Sequence, residues 1–329
     1  MKKIIQRYHI LFVFLFAWFL FASCHVDECI LCVPPDDTQE PKYKTKNVII
    51  LVIDGPRYSE TWGDPSHQYI PRTANNMAPL GTICTNFYND GITHTTAGHT
   101  ALTTGFYQEI DNTGQQIPQR PSVFQYHLKK TQAPSTSAYI ITSKDKLEVL
   151  ADCTEPGFSL RYKPAADCGT AGLGSSYRED SITFNQAKNL LIQYHPRLVL
   201  IQFKEPDTQG HGNNWNGYLQ GILTTDEYLW QLWSFLQNDP FYAGNTTLFV
   251  TNDHGRHLDN VADGFVSHGD SCEGCRHINL FAAGPDFKKG MIVNNRYNQV
   301  DIPVTIAELM GFSLKGSGGK VLWEFFDKQ

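Results

Sequence analysis

The sequence predicts an α/β fold: a single large domain with a largely parallel central sheet and helices on both faces. Three observations carry that expectation. Short apolar runs recur at 48–53, 138–141, 198–203, 247–251 and 278–283. Each is bounded by turn residues, the mark of strands buried on both faces. Helical stretches lie between the runs, and strand–helix alternation builds parallel sheets. Finally, carboxylates and imidazoles follow directly on three of the runs, and open α/β sheets bind ligands beyond the carboxyl ends of their strands.

The chain has 329 residues, enough for one large α/β domain or two small ones. A hydrophobic share of 41% and a charged share of 18% fit a globular protein. Net charge is −6 and no basic block stands out, which argues against a nucleic-acid-binding face.

Taken in chain order, the first element is not part of the fold. Lys2, Lys3 and Arg7 form a basic start, and Ile10 to Ala22 is apolar. That run is shorter than the about 20 residues a bilayer span needs. Ala22 and Ser23 precede Cys24, so residues 1–23 read as a secretory signal peptide. A cysteine directly after small residues resembles a bacterial lipobox, here with Phe21 at its front. The expectation is an exported protein held in the cell envelope by lipid on Cys24, on the periplasmic side or the surface. The alternative is a plain signal peptide and an incidental thiol. Cleavage removes three positive charges from a net of −6, so acidic lipids would not attract the mature chain. Residues 24–46, with Pro34, Pro35 and Pro41 and little apolar content, read as a tether.

Export permits disulfides. Eight cysteines are present, at 24, 29, 32, 84, 153, 168, 272 and 275. Cys153 and Cys168 are expected to staple the loop between them. Cys272 and Cys275 are expected to close a small disulfide loop, weighed against half of a zinc site shared with Cys29 and Cys32.

Within the domain, Asp54 ends the first run. Thr93 to His99 precedes a helical-looking stretch that stops at Gly105. A helix is expected over about 181–193. Asp207 and His211 stand four apart after the third run and share a face on a helical turn. Thr224 and Glu227 form a capping box that predicts a helix start. Leu229, Leu232, Trp233 and Leu236 then pack inward, and the helix stops before Asp239-Pro240. Asp253 and His254 leave the fourth run, and His268 sits in the loop before the fifth. Gly-rich Ala171 to Ser176 reads as a loop, because no clear strand precedes it and no Lys-Ser/Thr follows it.

Three aspartates and three histidines gathered at one sheet edge imply two divalent ions. Mixed oxygen and nitrogen ligands suit zinc first, then manganese or iron, and calcium least. A nucleophile is expected at the helix after Thr93. A hydroxyl there sits in positive dipole potential beside free N–H groups, and a nearby metal eases loss of its proton. Thr93, Thr95 and Thr96 all qualify on that chemistry, and each can equally be a helix cap.

The ordered blocks resemble the alkaline phosphatase superfamily, with the nucleotide pyrophosphatase/phosphodiesterase branch looking closest. They are Val52 to Arg57, Thr95 to Gly105, Glu205 to His211, Asn252 to Gly255, His268-Gly269, Gly284-Pro285-Asp286 and the helix-like Val300 to Ala307. The resemblance implies an alkaline phosphatase-like catalytic domain over 47–329. It implies that Asp54, Asp253 and His254 hold one metal with Thr95 on it, and that Asp207, His211 and His268 hold the other. Thr95 is singled out by standing ten residues before Gly105. Asn112 is implied as a phosphate contact. His277 is a rival to His268 that spacing to Gly284-Pro285 disfavours. The implied activity is a metal-dependent phosphoric ester hydrolase, a phosphodiesterase working through a phosphothreonine on small-molecule, lipid or nucleotide phosphate esters. The same site suits a phosphomonoesterase or phosphotransferase. A surface binding lipoprotein on an inactive scaffold is the non-enzyme alternative. Two departures stand out: the Thr95 segment lacks the lysine and Phe-Pro-Asn of nucleotide phosphodiesterases, and only a short loop separates His254 from His268. Sulfatases of the superfamily convert a cysteine or serine in Cys/Ser-x-Pro-x-Arg, which this chain lacks at Thr95.

Overall fold

All five apolar runs form strands of one sheet in the computed structural model, which describes residues 42–327. The signal peptide, Cys24, Cys29 and Cys32 lie outside the described residues. In chain order the main elements are β1 (Asn47–Asp54), β2 (Thr82–Tyr88), α1 (Thr95–Thr104), α2 (Val123–Thr131), β3 (Ala138–Thr142), β4 (Ala165–Cys168), α3 (Asp180–Tyr194), β5 (Leu198–Pro206), α4 (Asp207–His211), α5 (Trp215–Asn238), β6 (Thr246–Asn252), α6 (Glu273–Arg276), β7 (His277–Ala283), β8 (Met291–Val293), β9 (Tyr297–Asn298) and α7 (Asp301–Leu309).

The strand order is β4-β3-β5-β1-β6-β7-β2-β8, with β9 also on β2. Every pairing is parallel except those of β7 with β6 and with β2. β7 alone among the described strands therefore runs backwards. The reason is local. The segment from β6 to β7 holds only a 3-10 turn at Gly264–Val266 and the single turn of α6, so no crossover helix carries the chain to the far end of the sheet. It turns at the edge where β6 ends.

Alternation along β1 feeds two layers. Val48, Ile50 and Val52 face one side with Leu102, Phe124, Leu128, Ile302 and Ile306. Ile49 and Leu51 face the other with Phe184, Leu191, Leu229, Leu232 and Leu236. Helices α1, α2 and α7 thus cover one face, and α3 and α5 the other. Each of these fully buried side chains contributes about 1.5–3 kcal/mol relative to exposure.

Three expectations need correction. Thr224 does not start a helix. α5 begins at Trp215, where Asn214 caps it by accepting from the Gly217 N–H at 3.1 Å. The box residues lie mid-helix. Asp226 instead accepts from the Arg72 and Thr73 N–H groups, at 2.6 and 2.9 Å, and so caps a different segment. The tether does not reach residue 46 as a free segment. Tyr43 and Thr45 are buried, and the Lys44 and Thr45 N–H groups donate to Asp286 at 2.9 and 2.8 Å. Among the described residues no disulfide forms: Cys84, Cys153, Cys168, Cys272 and Cys275 are free thiols. Cys168 lies against β3, its Sγ 3.8 Å from the Ile140 carbonyl rather than on Cys153. No described helix is long and apolar enough to cross a membrane.

Candidate metal centre

The three central strands β5, β1 and β6 end together. Asp54 is the last residue of β1 and, across a register shift, pairs with Pro206 at the end of β5. Ile53 pairs with Asn252 at the end of β6. Asp54, Asp207 and Asp253 therefore leave three neighbouring strands at one edge. α4 starts on Asp207 and brings His211 round one turn. The β6–β7 loop returns His268 to the same edge.

At the first cluster, His254 Nε2 stands 3.5 Å from Asp54 Oδ1 and 3.3 Å from Asp253 Oδ2. These three atoms are buried without a hydrogen-bond partner. His254 donates Nδ1–H to the Gly255 carbonyl at 2.9 Å, so Nε2 carries the lone pair. Two carboxylate oxygens and an imidazole lone pair at these separations repel each other. Ligands at about 2.05 Å from a tetrahedral zinc stand about 3.3 Å apart, so both His254 separations suit a divalent ion; Asp207, rather than Asp253, is the carboxylate that stands within 4.8 Å of both Asp54 and His254.

At the second cluster, His211 Nε2 and His268 Nε2 face each other at 3.1 Å, each 3.4 Å from Asp207 Oδ1. His268 donates Nδ1–H to the Thr93 carbonyl at 2.7 Å, which again turns a lone pair inward. The His254 and His268 rings stack at 3.7 Å and join the two clusters. The His211 side chain is 51% exposed, whereas Asp207 and His268 are each 4% exposed, so the centre opens to solvent on the His211 side. His277 belongs elsewhere. It stacks between Tyr58 and Tyr88 and contacts the Thr85 carbonyl, which is a packing role.

The structure also separates the three threonines. Thr93 donates its hydroxyl to the Asp270 carbonyl at 2.7 Å. Thr96 donates both N–H and hydroxyl to Asn112 Oδ1, at 3.0 and 3.1 Å. Only Thr95, the first residue of α1, turns its hydroxyl to the ligands, where Lys144 Nζ lies 3.3 Å away. Asn112 sits beside the start of α1, next to Thr96. Its Oδ1 is occupied by Thr96 and by Lys146 at 2.9 Å, so contact with an anion falls to its Nδ2.

α1 lies directly on the ligand edge. A Cβ on Gly98 would stand 2.4 Å from the Asp253 carbonyl oxygen. Gly98→Ala is therefore expected to destabilise the fold by about 1–3 kcal/mol and to displace Thr95. Denaturant unfolding with a parallel turnover assay checks both; unchanged values in both would refute the close approach.

Sequence reading missed the cations. Lys144 follows β3 and is buried, with Nζ 2.8 Å from Asp54 Oδ2 and 2.6 Å from Asp207 Oδ2. Arg256, also buried, donates to Asp207 Oδ1. Gln202 donates to Asp54 Oδ2 at 2.9 Å, and His99 lies 3.4 Å from Asp253. These partners set the electrostatics. Burial, then Asp253, pushes the Asp54 carboxyl well above its ordinary range. Burial would do the same to Asp207, but the charges of Lys144 and Arg256 hold it well below. Burial opposes charge on Lys144, yet Asp207, Asp54 and Asp253 outweigh it and raise its pKa. Lys144 therefore stays an ammonium, able to stabilise an oxyanion and unable to act as a base. Burial and Lys144 push Lys146 down to about 8.

The sulfatase family model matches residues 167–312, a span holding Asp207, His211, Asp253, His254 and His268 but not Asp54 or Thr95. No curated protein matches in sequence. A phosphonate monoester hydrolase from Silicibacter pomeroyi is similar in structure with a TM-score of 0.64 and 11% identity, over 86% of this chain and 76% of that one. Murine ectonucleotide pyrophosphatase/phosphodiesterase 5, solved with AMP, gives 0.62 and 14% over 85% and 98%. A 2-O GAG sulfatase gives 0.63 and 13% over 85% and 73%. The shared feature is the fold: a mostly parallel central sheet in a single α/β domain.

Proposed function

We propose that this chain, a member of the alkaline phosphatase superfamily and an ester hydrolase of phosphate or sulfate type, is a phosphoric ester hydrolase that works through a phosphothreonine at Thr95. One observation carries the choice of phosphate. The only hydroxyl of the Thr93–Thr96 segment aimed at the metal-type ligands is a threonine, beside Lys144 Nζ at 3.3 Å. Sulfatases start from a converted cysteine or serine, and threonine cannot take their place.

Asp54, Asp253 and His254 would hold one divalent ion and Asp207, His211 and His268 a second, with zinc the best fit to the donors. When bound, the ions supply positive charge that stabilises the attacking and leaving oxygens. The chain's own residues do the rest. Lys144 donates to Thr95 Oγ1 and favours its ionised form. Oγ1 gives its proton to solvent on the open His211 side and attacks phosphorus as the bond to the leaving oxygen breaks; that oxygen takes up a proton and departs as the alcohol, leaving a phosphothreonine. The α1 N-terminal N–H groups, Asn112 Nδ2 and Lys146 bind the non-bridging oxygens. Water then attacks phosphorus, the Oγ1–P bond breaks, and Thr95 is regenerated.

Diesters are the preferred class. Ile92, Gln108, Asp111, Gln116 and Gln119 line an open groove next to Asn112, with room for a second ester substituent. A monoester or phosphotransfer reading has its own support, since Lys144 and Lys146 add two cations suited to a dianionic group. Turnover of bis-p-nitrophenyl phosphate, p-nitrophenyl phosphate and p-nitrophenyl sulfate after zinc loading decides between them. Diester selectivity supports the preferred reading, and sulfate selectivity would refute the phosphate assignment. Metal binding without any turnover would favour a binding role on an inactive scaffold.

Lys146 makes this reading pH-dependent. It loses its proton as pH rises through about 8, so KM is expected to rise on the alkaline side while kcat changes less. Lys146→Arg should flatten that limb, because arginine stays charged. An unchanged limb in this variant would remove Lys146 from substrate binding.

Export and lipid attachment at Cys24 belong to the same proposal, supported by the basic, apolar and small-residue order of the first 23 residues. Incorporation of labelled palmitate, lost in Cys24→Ala, tests it.

A further inference from the structure

A second group of metal-type side chains lies in the loop between β6 and β7, apart from the catalytic clusters. His257, Asp270, Cys272 and Cys275 place one ligand atom each within 4.8 Å of all the others. His257 and Cys275 are buried, Cys272 is half-buried and Asp270 is exposed. Thiolates at about 2.3 Å and an imidazole at about 2.0 Å from a tetrahedral ion stand on the order of 3.5–3.8 Å apart. The loop holds these atoms within 4.8 Å of one another, near enough for small side-chain shifts to reach that spacing.

The hydrogen bonds around the group orient it inward. His257 Nδ1 lies 3.1 Å from Asp263 Oδ1 and 3.2 Å from Ser267 Oγ. A carboxylate partner on Nδ1 keeps the proton there and leaves the lone pair on Nε2. That Nε2 faces Asp270 Oδ2 at 3.1 Å, so with the ring proton on Nδ1 two acceptors meet. The Cys272 N–H donates to Asp270 Oδ1 at 2.9 Å, which turns Oδ2 toward His257. Cys272 also caps α6, whose single turn places Cys275 three residues on. A proton on Nε2 would relieve His257 and Asp270 but would do nothing for the two sulfurs. A disulfide would use the sulfurs and leave Nε2 facing the carboxylate. One divalent ion satisfies all four, displacing both thiol protons.

We propose that His257, Asp270, Cys272 and Cys275 bind a structural zinc ion. Four protein ligands close the site, with no position left for substrate. Its effect on the catalytic edge is positional. Gly255, next to His254, donates its N–H to the Cys275 carbonyl at 2.8 Å. Thr93 donates its hydroxyl to the Asp270 carbonyl and accepts from His268 through its own carbonyl. The ion therefore staples both ends of the short segment that carries His254 and His268.

The catalytic clusters contain no cysteine, so a thiolate–metal signal cannot come from them, and its retention in a Cys29→Ser/Cys32→Ser chain assigns it to this loop. The test loads the full chain, purified under reducing conditions, with cobalt(II) and records near-ultraviolet charge-transfer absorption. The expected result is a thiolate-to-cobalt band that zinc displaces. In Cys272→Ser and Cys275→Ser the band should be lost while one equivalent of bound zinc disappears. Asp263→Asn should weaken zinc binding at this site about 10–100-fold. Absence of the band in the unaltered chain would overturn the proposal, whatever the folding of the variants. So would a Cys272–Cys275 disulfide found by mass spectrometry in protein isolated without reductant.

Discussion

Thr95→Ala is expected to lower kcat by at least about 10³-fold while leaving metal content and fold intact. The residue is buried at the start of α1 and its hydroxyl meets Lys144. Removing Oγ1 deletes the atom that forms the covalent bond but none of the six proposed ligands. Neither neighbour can substitute, because Thr93 and Thr96 spend their hydroxyls on the Asp270 carbonyl and on Asn112. Steady-state kinetics on bis-p-nitrophenyl phosphate, thermal melting and metal analysis on the same preparation check this. Acid quenching of the unaltered enzyme during turnover should add the mass of one phosphoryl group to the peptide carrying Thr95. Retention of activity within about 10-fold in the variant would instead point to direct attack by water.

Chelation should have the largest effect on stability. Asp54 Oδ1, Asp253 Oδ2 and His254 Nε2 are buried and unpartnered, and unpaired buried charge is costly. An ion present at 1,000 times its dissociation constant adds about 4 kcal/mol. For a domain of this size that is roughly 10 °C in melting temperature. Removing zinc with a chelator should produce such a drop, and restoring zinc should reverse it. His254→Ala should lose the share of that shift due to the first cluster, so its melting temperature should rise less with added zinc than that of the unaltered chain. A melting temperature indifferent to zinc in the unaltered chain would sink the first cluster as a metal site.

The parts of the molecule that were legible are those where one physical rule acts alone. β1, β5 and β6 are buried on both faces and so read as unbroken apolar runs. The ligands stand at their ends because backbone direction puts them there. β2 was missed because Thr82, Thr85 and Asn86 interrupt its pattern. The start of α5 was hidden by Gly217 and Gly221, which read as breakers. Yet Gly221 is where the helix crosses the end of β5: a Cβ there would stand 3.0 Å from Pro206 Cα. Lys144 and Arg256 were illegible for a different reason. A charged residue after a strand reads as solvent-facing, and its burial makes sense only once acids from distant segments surround it. Asp207 supplies the partner for both, from 63 and 49 residues away in the chain.

The anchoring of Lys44 and Thr45 on Asp286 decides how this protein can be handled. Seven residue steps along β1 separate Asn47 from Asp54, about 23 Å at strand spacing. The chain thus enters at the rim opposite the reactive one. A dye or a bead joined to the chain at Lys42 itself therefore starts from that opposite rim. Immobilised through that point, the protein is expected to keep its ligand edge toward the bulk.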